Sequence, residues 1–76
     1  MNKQHRDSLT NAIVALETAK GTVEGILSEE QDAFDNLSEE VQQAPSGEKT
    51  QDAINALEEA INYIDDAIGN LNTAQE

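Results

Sequence analysis

The sequence predicts an all-α fold: an antiparallel, coiled-coil-like helical hairpin that dimerises into a four-helix bundle. Apolar residues recur at heptad spacing in both halves of the 76-residue chain, strand-like alternation is absent, and Ala44-Pro45-Ser46-Gly47 interrupts the pattern between the halves.

Residues 1–7 form a polar, flexible N-terminal head, and residues 8–76 a single hairpin domain. A first helix over about residues 8–36 follows from Leu9, Ile13, Leu16, Val23, Leu27 and Phe34, with Lys20 and Glu30 the polar members of the seam; the spacing runs on through Leu37 and Val41. Asp7 or Ser8 supplies its N-cap. Gly21 and Gly25 fall on outward b and f positions, weakening the helix without opening its core. Ser38-Glu39-Glu40 reads as a new start, giving a short helix over 38–43 and a kink near 36–38. A connection over 44–49 follows, and Ser46 or Thr50 caps a last helix over about 50–74. That last helix is the plainest element. Ile54, Leu57, Ile61, Ile64, Ile68 and Leu71 alternate in steps of three and four through three heptads.

Folding the helices together tests the register. When the numbers of paired seam positions sum to 84, Ile13 meets Leu71, Leu16 meets Ile68, Lys20 meets Ile64, Val23 meets Ile61 and Leu27 meets Leu57. A sum of 91 allows a tighter turn but strands Leu9 and Ile13, so 84 is preferred. The same register lines up Ala12, Ala19, Ile26 and Ala33 with Ala74, Ala67, Ala60 and Ala53 at the g positions. Two helices bury only one side of each seam. The alanine line is the uncovered side, narrow enough for a second copy to approach closely, and a homodimer is expected. The alternative is a monomeric hairpin whose alanines are simply good helix formers.

Charge bears on function. The chain carries 16 acids and 4 bases, for a net charge of -12. Residues 1–20 are near neutral at +1, and residues 21–76 hold the remaining -13. Such a field repels a phosphate backbone, so direct nucleic-acid binding is not expected. No apolar core follows the basic N-terminal residues, so neither a signal peptide nor a membrane span is predicted, and the expected location is the cytoplasm of the cell that makes the protein.

The residues for catalysis are missing. His5 is the one histidine, cysteine is absent, and no Glu-x-x-His pattern offers a two-metal site. Asp32, Asp35 and Glu39 lack the alternation and central glycine of a calcium loop. No catalytic residue, cofactor or metal is assigned, and an enzyme is not expected.

The acids do form a pattern. Glu58-Glu59 and Asp65-Asp66 recur one heptad apart, and Glu24, Glu29, Asp32, Asp35 and Glu39 take outward positions in the first half. Two charges per heptad is roughly one per 5 Å along a helix, and two helices approach about one per 2.6 Å, against about 1.7 Å for duplex DNA. These nine acids form a candidate partner-binding surface on which carboxylates replace phosphates. The plainer alternative is a solubilising coat.

The stretch Glu29-Glu30-Gln31-Asp32-Ala33-Phe34-Asp35-Asn36-Leu37-Ser38-Glu39, followed by the acidic heptad helix, resembles a group of short acidic proteins of bacterial and phage or mobile-element genomes. Their motif reads Glu-Glu-x-x-Ala-Phe-Asp-Asn-Leu-Pro-Glu. The resemblance covers about residues 26–72, and Ser38 replaces the usual proline. It implies a phage-linked context and no activity. The leading expectation is therefore a small interaction protein that binds and inhibits a basic host protein, such as a nucleic-acid-binding defence nuclease, by mimicking DNA. The alternative is a structural module that assembles through the Ala/Ile seam.

Overall fold

The computed structural model describes residues 1–76, and 88% of them are helical with no strand. Helix α1 spans Lys3–Asp35, α2 spans Glu39–Gln42 and α3 spans Pro45–Ala74. Helices α1 and α3 pack along their length as an antiparallel hairpin, and α2 closes the turn end. The molecule is a rod measuring 57 × 15 × 13 Å. Its radius of gyration is 17.2 Å, against about 11.4 Å for a compact domain of this length.

The seam follows the predicted heptads. Ile13 and Ile54 are buried, while Leu9, Leu16, Lys20, Val23, Leu27, Phe34, Leu57, Ile61, Ile64, Ile68 and Leu71 are half-buried. Cross-helix contacts fix the register: Lys20 Nζ lies 2.7 Å from Asp65, and the Thr10 hydroxyl donates to Gln75 Oε1 at 3.4 Å. Both pairs lie one step from the layers whose numbers sum to 84 and exclude the register summing to 91. Glu30 departs from the expected seam: it is exposed, and Gln31 is half-buried instead. A helix of 3.6 residues per turn drifts about 20° per heptad from a 3.5-residue repeat, so three heptads from Leu9 turn Glu30 outward by roughly 60°. The cost of burying a carboxylate favours the same exchange.

The helix ends differ most from expectation. Helix α1 starts at Lys3, where the Asn2 side chain accepts the His5 backbone N–H at 2.7 Å, so the cap is neither Asp7 nor Ser8 and residues 3–7 belong to the helix. Lys3 pairs with Asp7 one turn on, at 2.8 Å. At the other end, α1 stops at Asp35 rather than kinking, and Ser38 caps the short α2 by accepting the Val41 N–H at 3.3 Å.

Helix α3 begins five residues before the expected start, and neither Ser46 nor Thr50 caps it. Proline breaks a helix interior but suits a first turn, because its fixed φ is helical and its missing N–H has no intrahelical partner there. Gly47 then lies buried in that first turn, where a Cβ would overlap the Val41 and Gln42 carbonyl oxygens. Only a glycine lets α2 cross this closely. Gln42 completes the corner, its side-chain amide donating to the Phe34 carbonyl at 2.8 Å and the Leu37 carbonyl at 3.3 Å. These contacts serve α1 as a C-cap, the role glycine more often takes. Leu37 and Val41, through which the heptad spacing runs on, stay 36% and 40% exposed.

Candidate functional site: two unlike flanks

The hairpin has two long flanks, and the sequence distributes its charge unequally between them. On one side lie the e, b and f positions of α1 and α3. Glu24, Asp32, Asp35, Glu58, Glu59, Asp65 and Asp66 all belong to it, and all are exposed. Glu24, Asp32 and Glu58 line one cleft, floored by Leu27 and Ile61 and edged by Ser28, Gln31 and Asn62. No base lines this cleft, so like charges face one another across the helix interface. No group of three or more His, Cys, Asp or Glu side chains is arranged to hold a metal ion.

Two of the nine predicted acids lie elsewhere. Glu29, at a c position, belongs to the opposite flank, and Glu39 is on α2 at the turn end. Asp65 is partly neutralised. The Lys20 ammonium reaches from the seam to its carboxylate, and that hydrogen bond, outweighing partial burial, holds the Lys20 pKa above its ordinary value, with Glu24 and Glu17 adding attraction. Glu59 accepts the Tyr63 phenol at 2.7 Å, and this bond raises the tyrosine pKa by favouring its protonated form.

The opposite flank is nearly free of charge. Among its c, d and g positions the charged residues are Glu29, Glu30 and Lys49, and Lys49 is the one base after Lys20. Ile26, Glu30, Lys49, Thr50, Ala53, Ala56 and Leu57 line a shallow groove here. Of the predicted oligomerisation residues, Ala12, Ala60 and Ala67 are half-buried against the neighbouring helix, and Ala19, Ile26, Ala33, Ala53 and Ala74 are exposed. Ile26 is the one large side chain on this g line, 46% exposed.

The heptad letters make both flanks readable in the sequence. Gln42 and Gly47 gave no such signal, because their roles depend on a chain crossing that no local pattern encodes. No helix is long and apolar enough to cross a membrane. Comparison with family models, curated proteins and solved structures returns no match.

Proposed function

We propose that the protein is a small acidic interaction module whose charged flank binds a basic protein in place of nucleic acid, and so inhibits it. The observation that carries this reading is the one-sidedness of the charge. A coat that only confers solubility has no reason to leave one flank of a rod with so few charges while setting Glu24, Asp32 and Glu58 together around a cleft without a base. Like charges so placed destabilise the free hairpin, and a basic partner relieves them. The spacing also fits: a net charge of -12 along a 57 Å rod is one per about 4.8 Å, within a factor of three of the duplex value of about 1.7 Å. A phage or mobile-element origin, implied by the motif around Phe34, makes a host nucleic-acid-binding nuclease the natural class of target.

The test is capture from host lysate at low and high salt, followed by elution with duplex DNA. Bound protein should be basic, should leave as salt rises and should be displaced by DNA. Reversing Glu58, Glu59 and Asp66 to Lys, with Asp65 kept for its pairing with Lys20, should abolish capture while helicity by circular dichroism is unchanged. Capture that ignores both salt and charge reversal would sink this reading.

A second reading is a structural module that assembles through the Ala/Ile flank, its acids conferring solubility only. The incompletely covered seam favours it, and here Ala60→Arg should disrupt assembly while the charge reversals do little.

A further inference from the structure

We infer that the acid-poor flank docks a second copy of this chain, with the two rods antiparallel. The inference rests on that flank being a packing surface, as the second reading holds, and is independent of what the acidic flank binds.

Area points to a partner. The chain exposes 5355 Å², whereas a compact protein of 8.2 kDa exposes about 4,500 Å². The excess, roughly 800 Å², matches the ~800 Å² that each partner buries in a standard interface. The seam agrees, since Ile13 and Ile54 are its only buried side chains. A second copy on the acid-poor flank would cover the side on which Leu57 lines a groove, and leave Leu27 and Ile61 open to the acidic cleft.

Charge selects the flank. Two copies meeting through the cleft of Glu24, Asp32 and Glu58 would set six carboxylates together with no base among them. On the opposite flank Lys49 partly offsets Glu29 and Glu30, and alanines let backbones approach. Charge excludes the first arrangement and tolerates the second.

The charge gradient along the rod selects the direction. The half of the rod nearest the termini, residues 1–20 and 64–76, holds 3 bases and 5 acids, for a net of -2. The half nearest the turn, residues 21–63, holds 1 base and 11 acids, for a net of -10. Parallel rods would press the two -10 halves together. Antiparallel rods place each -10 half beside a -2 half and bring Lys3 and Arg6 of one copy level with the turn-end acids of the other.

A twofold axis perpendicular to the rods then sets α1 opposite its own copy. Full overlap places Ala12 of one chain opposite Ala33 of the other, and Ile26 opposite Ala19. In the parallel arrangement Ala12 would face Ala74 instead.

The chain has no cysteine, so introduced ones report without background. Sedimentation equilibrium of the full chain should give twice the 8.2 kDa chain mass. Because both copies are acidic, the dimer should tighten as salt rises, opposite to the binding of a basic partner. Mixing Ala12→Cys with Ala33→Cys should yield the mixed disulfide, which Ala60→Arg introduced into both chains should suppress. A disulfide between Ala12→Cys and Ala74→Cys chains in place of it overturns the antiparallel direction and leaves the packing surface standing. A wild-type chain that sediments as a monomer, together with cysteine variants that form neither mixed disulfide, overturns both.

Discussion

Three glycines of this chain lie in the open and one does not. A Cβ at Gly21 or Gly25 meets nothing within 4 Å, so changing either to Ala should raise stability by about 1 kcal/mol through helix propensity alone. At Gly47 the same change drives a methyl group into the Val41 and Gln42 carbonyls and should cost about 1–3 kcal/mol as the corner shifts. Urea denaturation of the three variants checks both signs, and a neutral Gly47→Ala would show that α2 does not need to cross so closely. Lys20 gives a pH dependence. Its folded pKa is raised, so the stabilisation from its bond to Asp65 is complete below the ordinary lysine range and is lost as pH rises through the raised value. The urea midpoint of the wild type should therefore fall more, between neutral and strongly alkaline pH, than that of Lys20→Met. An equal fall would assign the alkaline loss to another group, of which the Tyr63 phenol is the nearest in kind.

Among the elements, what a repeat encodes was legible and what a crossing encodes was not. The seam from Leu9 to Phe34 and from Ile54 to Leu71 can be read because each residue's environment repeats every heptad, and matching layers then select the register. The sequence also marked Ser38 as a helix start, and the hydroxyl caps α2. The start of α3 is not legible locally, because proline has opposite meanings inside a helix and at its first turn, and only the chain's path decides between them. Asn2, Asp7 and Ser8 are equally good caps by type, and Lys3 and Asp7, one turn apart, support the longer helix that Asn2 caps. The acidic flank was partly legible. Heptad letters separate Glu24 and Glu58 from Glu29, whereas grouping all nine acids as one outward surface merges Glu29 of the opposite flank and Glu39 of α2 with the rest.

For the whole molecule, the sharpest feature is the corner where Gln42, Gly47 and Phe34 meet. Gln42 and Phe34 are 8 residues apart in the chain, whereas Thr10 and Gln75, which meet at the far end, are 65 apart. The entropy of closing a loop rises with its length, so the corner is the least costly contact to make first, and each layer after it needs only the next few residues. The hairpin should thus fold as a zipper from its turn and open from its termini. Backbone amide exchange should be slowest around Ile54, the one fully buried side chain, and progressively faster toward Leu9 and Leu71. Uniform protection along both long helices would mean that they part in a single step.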